Sequence, residues 1–497
     1  MPGYNIAVLD VGKTNKKLFV YDSDLACLNP DEKGVSIGEV DSGGLLCDDM
    51  PSIHRWMLDG LRRAARVHGD IRVISVSTHG ATIALLGKDA NTVFPGDGGL
   101  AFPIVSYRQE ISPEDDEAFY RDMALSPDEM QRLTGTARFG QFLNHAKQVH
   151  WLRKRFPSRF AKVTDVLMFP SYLSYLLTGA KSAEPTYVGC HGCLLDISGR
   201  KYSLVADRLG ISDKLPPLPF SSSWRPLAKV KPEVARETGL SPDTIVTVGV
   251  HDSNAALVPY FAKGFEDFVV QDSGTWVVTM SPVREASFSE SEIGKEVFFN
   301  RSVYGGPVKT TIFRGGAEFD FYGTRVLPHW PHPARIDLAV LGRVLAGGEA
   351  FALPTVERGS GLFPTSVARL VGVDTIFRDA ATAWCVVDLG LAIQGCQGIR
   401  LAAGGRPRQI VIEGNIGRNN PLYRSIIATV FPDSKVSFGA AGGAAYGAAI
   451  LGAAGFEGKR PEDLSSRVRL DLVEVPGLDV DRAALEAYAR CFVETAV

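Results

Sequence analysis

The stretch Phe268 to Pro282 reads FVVQDSGTWVVTMSP: an apolar run, an Asp-x-Gly turn carrying a threonine, and a second apolar run. Apolar strands on either side of a glycine turn predict a β-hairpin. The same design opens the chain, where Ile6 and Val8, then Leu18 and Val20, alternate around the turn DVGKTNKK, Asp10 to Lys17. The turns begin at Asp10 and Asp272, about half a chain apart. One such unit reads well enough as an ordinary hairpin. Two, one opening each half, point to a duplicated fold with two facing phosphate loops. Glycine lets successive backbone N–H groups turn into one concavity, which suits an anion. An aspartate ending the first strand suits Mg²⁺, an ion that keeps several waters and takes few carboxylates. Lys13, Thr14, Asn15 and Thr275 supply polar donors in the turns.

The rest of the composition bounds the reading. At 497 residues the chain exceeds one compact core, so two domains are expected. It is 45% hydrophobic and 22% charged with a formal net charge of -3, which gives no electrostatic reason to expect nucleic acid or an anionic membrane as partner. The N-terminus, MPGYNIAVLDVGK, lacks a basic stretch followed by an apolar core, so no secretory signal is expected. Gly439 to Gly455 is apolar but mostly Gly and Ala, and reads as a tightly packed helix entry in preference to a membrane span. Seven cysteines without regular spacing suggest reduced thiols in a cytoplasmic setting. Cys190 and Cys193 form a C-x-x-C, but no second Cys/His pair stands at zinc spacing, which speaks against a metal there.

Between the two turns the pattern alternates strand and helix, as in α/β layers. Asp49 to Gly69 carries Ile53, Met57, Leu61 and Ala65 at spacing four and predicts an amphipathic helix. Arg72 to Ser77 reads as a strand, followed by His79-Gly80, a second strand ATIALLG and the turn KDAN. Gln141 to Arg153 reads as a helix, and a division just before Gly249 separates 1–248 from 249–497. There VGVHDSNAALVPYF sets Asp252 at a strand-to-helix junction. It suits a helix N-cap, and equally a carboxylate on the floor of a cleft that accepts a proton from an attacking hydroxyl.

At these residues a family resemblance emerges. The chain resembles the FGGY carbohydrate kinases, most of all their rhamnulokinase and fuculokinase branch. The segments are DVGKTNKK, STHGATIALLGKD (Ser77 to Asp89), PIVSYRQE (Pro103 to Glu110), VHWLRKRFP, SYLSYLLTG (Ser171 to Gly179), HDSNAAL, DSGTW and EGNIGRNNPLYRSII, in that order along nearly the whole chain. The resemblance implies two actin-like (ribonuclease-H-like) α/β domains with an interdomain cleft, using ATP and Mg²⁺ to phosphorylate a small-molecule sugar. Asp252 matches the catalytic base and His251 the preceding half of a His-Asp pair. Asp10 matches the magnesium aspartate, with Gly12, Lys13, Thr14 and Asn15 in the first phosphate loop and Ser273, Gly274 and Thr275 in the second. His79, Arg108 and Asn144 match sugar-contacting positions, while Gly414, Asn415 and Asn419 overlie the adenosine loop. A homodimer is one option for its assembly.

The sequence also departs from the family. Lys13 replaces a small residue, setting a cation beside the ATP phosphates where it would add charge neutralisation. Glu413-Gly414-Asn415 stands in place of three glycines, Ser171 in place of Asp, and Gly442 to Ala445 lacks an acidic residue. Asn420-Pro421 reads as an N-cap with proline at the first helical position, followed by Leu422, Ile426 and Val430 at spacing four. Two competing readings are a non-kinase ATPase of the actin type and a sugar-binding regulator that has lost catalysis. The His251-Asp252 pair and the sugar-contact segments argue against the first, and retention of Asp10 and Asp252 argues against the second, which the altered adenosine loop keeps open.

Overall fold

Hydrogen bonding in the computed structural model, which describes residues 3–87, 94–440 and 442–497, builds two sheets on one plan. Both expected hairpins form: Asn5–Val11 pairs antiparallel with Asn15–Asp22, and Phe268–Ser273 with Val277–Pro282. In each, the first strand takes a parallel neighbour on its other side, Ile71–Thr78 in one case and Gln409–Glu413 in the other. A third antiparallel strand, Val35–Ser36 or Pro307–Phe313, extends the hairpin outward. The registers match as well, for Asp10 lies opposite Ser77 and Asp272 opposite Glu413. The topology therefore repeats, and both turn aspartates stand at the carboxyl ends of central parallel strands.

Local sequence explains the layers against these sheets. Helix Met50–His68 begins where the Asp49 carboxylate accepts the Ser52 N–H at 3.1 Å, and it buries Ile53, Met57 and Leu61. Burial of such side chains contributes roughly 1.5–3 kcal/mol each. The helix read from Gln141 onward starts later, spanning His145–Arg155, because Gln141 takes a left-handed φ of 50°. ATIALLG becomes strand Ile83–Gly87, paired with Val163–Met168, while the KDAN turn lies outside the described residues.

The glycine-rich segment near the C-terminus is helix Gly443–Glu457, and it crosses back onto the first sheet, sharing a core with Ile6, Val8, Val73 and Val250. Its glycines allow backbone to meet backbone: a β-carbon on Gly447 would overlap the Ala255 carbonyl, and one on Gly452 would stand 2.5 Å from Ser75 Oγ. No helix among the described residues is long and apolar enough to cross a membrane. The division read at Gly249 precedes a strand, Val250–His251, that pairs with Ser77 and Thr78 in the first sheet. The second sheet opens only at Phe268.

Candidate active site

Asp252 stands where three chain segments meet at the end of the first sheet. Val250–His251 runs parallel to Ser77–Thr78, and helix Asp252–Ala255 begins directly after it. Behind the junction, the His251 N–H donates to Thr186 Oγ1 (3.0 Å), and Thr186 in turn donates to the buried Glu184 carboxylate (2.6 Å). That chain of bonds anchors the strand end. Asp252 is the first helical residue, not the cap, and its Oδ1 accepts the Ser253 N–H at 2.6 Å. Its side chain keeps 31% exposure. Burial raises the Asp252 carboxyl above its ordinary range, opposed by the His79 ring and the Ser253 hydrogen bonds.

In front of Asp252 lies a cavity of about 250 Å³, walled by Tyr107, Phe139, Trp276 and Phe298 with three imidazoles, His79, His191 and His251. Burial holds all three rings neutral, His79 and His191 at about 4 and His251 at about 3. His79 Nδ1 lies 2.8 Å from the Gly80 carbonyl and His191 Nδ1 lies 2.7 Å from the Leu143 carbonyl, so each Nδ1–H donates there and each Nε2 is left as an acceptor. His251 Nε2 lies 3.3 Å from Asp252 Oδ1. The space is smaller than the roughly 300–1,000 Å³ of drug-sized sites and offers apolar faces with a few fixed polar groups.

Of the residues expected to contact sugar, His79, His251 and Asp252 line this cavity, while Arg108 and Asn144 do not. Arg108 is half exposed and faces Glu39 at 3.9 Å. Asn144 is buried, and its amide is consumed by Phe139 N, the Ala137 carbonyl and the His191 carbonyl, so it shapes the wall from behind. His191 escaped the sequence reading. The signal was present in the run Cys190-His191-Gly192-Cys193, which was weighed only for its cysteines. Cys193 turns away toward Lys147, Thr134 and Thr136, whereas Cys190 lies 3.6 Å from His251 Nε2.

Both turns open beside Asp252. Asp10 is raised to about 7, by burial first and by the charge of Asp252 second; Asp272 is raised by the same two causes. Gly12, Thr14 and Asn15 form the first turn, held from beneath by the buried Lys16 ammonium, which donates to the Lys13 carbonyl (2.9 Å) and the Ile37 carbonyl (3.0 Å). The Lys13 ammonium does not stand free for a phosphate. It lies 2.5 Å from Asp48, 2.8 Å from Glu39 and 2.9 Å from Ser106 Oγ, over the Tyr107 ring. The buried Asp48 and the partly buried Glu39 claim its charge, which corrects the expectation of an added phosphate cation.

The second turn is tied into the segment read as an adenosine loop. Ser273 donates to the Glu413 carbonyl and accepts the Gly417 N–H at 2.8 Å, while Gly274 and Thr275 form the tip. The segment itself is a short helix, Gly414–Asn419, entered through Gly414 at φ 86°. A β-carbon there would stand 2.6 Å from Asp272 Oδ1. Glu413 turns its side chain inward to accept the Tyr260 hydroxyl, so its carboxylate does not crowd the surface, where Asn415 and Asn419 are exposed. The Asn420 cap forms as expected, accepting the Tyr423 N–H at 2.9 Å, and its amide also donates to the buried Asp388 at 2.7 Å.

Comparison with known proteins matches residues 5–259 to the FGGY family of carbohydrate kinases, N-terminal domain, and residues 265–461 to carbohydrate kinase FGGY, C-terminal domain. A solved carbohydrate kinase from Novosphingobium aromaticivorans is 30% identical with a TM-score of 0.80, covering 99% of this chain and 98% of that one. A ligand-bound xylulose kinase from Lactobacillus acidophilus shares the fold at 14% identity, with a TM-score of 0.79 over 99% of this chain and 96% of its own. Among curated proteins, a rhamnulokinase of Bacteroides thetaiotaomicron is 27% identical over 251 residues, 49% of this chain and 48% of that protein. The chain thus aligns with about half the length of the curated relatives it matches first.

Proposed function

The chain belongs to the FGGY family of carbohydrate kinases, and we propose that it transfers the γ-phosphate of ATP to a hydroxyl of a small ketose, with Asp252 as general base. One observation carries this reading: a single carboxylate forms the boundary between an aromatic and imidazole cavity and two Asp-Gly turns. In the reaction the sugar oxygen attacks the γ-phosphorus, the bond to the bridging oxygen of ADP breaks, and the hydroxyl proton passes to Asp252. Such a transfer asks the protein for in-line placement, charge neutralisation and a proton acceptor. A carboxylate raised in proton affinity by burial is a better acceptor than an exposed one, and positioned proton transfer contributes roughly 10²–10⁴-fold.

The charge pattern suits a hard dication. Burial raises Asp10 and Asp252, and the charge of Asp252 raises Asp10 and Asp272, so the cleft gathers negative charge that Lys17 offsets only in part at Asp10. Asp10 would hold Mg²⁺ through its waters, and the ion would neutralise phosphate charge. The turns Gly12 to Asn15 and Ser273 to Thr275 suit the phosphates, with the Gly274 N–H itself held by the Trp276 carbonyl at 3.0 Å, and helix Gly414–Asn419 suits the adenosine.

For the acceptor, the cavity favours a 6-deoxyketohexose of the rhamnulose or fuculose kind, phosphorylated at its C1 hydroxyl, or a pentulose. The Tyr107, Phe139 and Phe298 rings suit C–H faces, and the free Nε2 atoms of His79 and His191 suit hydroxyl donors. Free cysteine thiols throughout the chain support a cytoplasmic setting. The test is ADP release with and without a panel of 6-deoxyketohexoses, pentuloses, tetruloses and glycerol. Stimulation by a ketose is expected, because an occupied cleft closes around the phosphate and excludes water. A rate unmoved by the whole panel sinks the substrate class; an appreciable basal rate then favours an ATPase, a negligible one a regulator.

A further inference from the structure

Cys190 Sγ and one ring nitrogen each of His191 and His251 converge from two separate segments, all within 4.8 Å of one another. Both imidazoles come close to Gly80: a β-carbon added there would stand 2.9 Å from His251 Nε2 and 3.0 Å from His191 Nε2, so the missing side chain leaves room beside both nitrogens. His191 is oriented as metal-binding histidines are, its Nδ1 bonded to the Leu143 carbonyl at 2.7 Å, which leaves Nε2 with its lone pair. Sγ and His251 Nε2 are already 3.6 Å apart. A tetrahedral zinc ion needs ligand separations of about 3.3–3.8 Å, so the remaining closure is a side-chain shift of about 1.5 Å or less. A fourth position opens toward Asp252, whose Oδ1 lies 3.3 Å from His251 Nε2. Entry is through the cavity, since His191, His251 and Asp252 all line it.

We propose that Cys190, His191 and His251 form a site for Zn²⁺ at the back of the substrate cavity, and that its occupation excludes the sugar. Thiolate and imidazole are the donors that select this ion over Mg²⁺, which prefers oxygen, so the site is chemically separate from the aspartates of the phosphate turns. Metal binding stands on the three ligands alone; the competition with sugar rests on the proposed kinase reading, and the two are measured separately. Co²⁺ titrated into the full chain, followed by absorbance, is expected to give a thiolate-to-cobalt charge-transfer band and the intense visible bands of tetrahedral Co²⁺, both displaced by Zn²⁺. Cys190→Ser should abolish the charge-transfer band and weaken Zn²⁺, measured against a chromophoric chelator, at least about 100-fold. His191→Gln should weaken Zn²⁺ comparably while keeping the thiol, which covers the case in which Cys190→Ser does not fold. Cys193→Ser should leave band and affinity unchanged. Absence of the charge-transfer band in the parent, or its persistence in Cys190→Ser, overturns the site whatever the chain phosphorylates. With a ketose found to stimulate ADP release, Zn²⁺ should raise its apparent KM in the parent and not in Cys190→Ser; an unchanged KM at saturating Zn²⁺ overturns the exclusion.

Discussion

The two hairpin turns share a backbone plan and differ in what anchors them. The Asp10 turn is fixed by side chains: Lys16 beneath it bonds two carbonyls, and Lys13 reaches across to Asp48, Glu39 and Ser106. The Asp272 turn is fixed by one uncharged side chain, the Ser273 hydroxyl, which bridges the Glu413 carbonyl and the Gly417 N–H. The first turn is thereby coupled through Tyr107 to the cavity beside Asp252, the second to the segment proposed for adenosine. A duplicated turn has been specialised by its attachments while its hydrogen-bond ladder stayed the same.

The largest effect is expected between the turns. Asp252→Asn keeps size while removing the proton acceptor, and turnover should fall at least about 10²-fold with MgATP affinity kept. Turnover within a factor of two of the parent would remove Asp252 from the role of base.

Next comes the contrast of the turn aspartates. Asp10→Ala should weaken MgATP at least about tenfold in calorimetric titration, about 1.4 kcal/mol, and sugar binding far less. Equal effects on both ligands would mean that Asp10 acts only through cleft geometry.

His79→Ala should raise the ketose KM about tenfold, the scale of one unpaired buried polar group at roughly 1–3 kcal/mol. Arg108→Ala should move it less than about threefold, because that side chain is half exposed and outside the cavity. The reverse ranking would show that Arg108 swings inward on closure.

Acidity probes the first turn by itself. Asp10 is raised from 3.8 to about 7, so below about 7 a proton competes with the cation, and MgATP affinity should fall as pH drops through that value. For the free protein the sign is opposite: the neutral acid is favoured by the fold, so this group's stabilisation is full below 3.8 and is lost as pH rises toward about 7. Asp10→Asn should flatten both profiles, and a parent affinity independent of pH between 5 and 8, a span of roughly the range where such groups titrate, would contradict the assignment.

The smallest effect is expected for Lys13→Met on ATP. With its ammonium held by Asp48 and Glu39, the KM for ATP should stay within about twofold, while thermal stability drops because a broken buried pair leaves carboxylates uncompensated. A large rise in the ATP KM with stability unchanged would restore Lys13 to the phosphates.

What was legible in the sequence is what local pattern encodes. Alternation about Asp10 and Asp272 revealed both hairpins and the duplication, because side-chain period and turn chemistry are properties of neighbouring residues. Apolar spacing revealed helix Met50–His68, and Asn420-Pro421 announced the start of helix Pro421–Val430. Side-chain direction was not legible. Lys13 looked like a phosphate cation until the fold brought Asp48 and Glu39 to it, and only the fold showed that Arg108 and Asn144, expected at the sugar, stand outside the cavity lining here. The convergence of Cys190 and His191 with His251, some sixty residues onward, depended on strand Val250–His251 pairing beside Thr78. Sequence alone decided the elements and their repetition; only tertiary structure decided which charges are spent on each other and which remain for a ligand, since an ion pair forms by distance in space and not by distance along the chain.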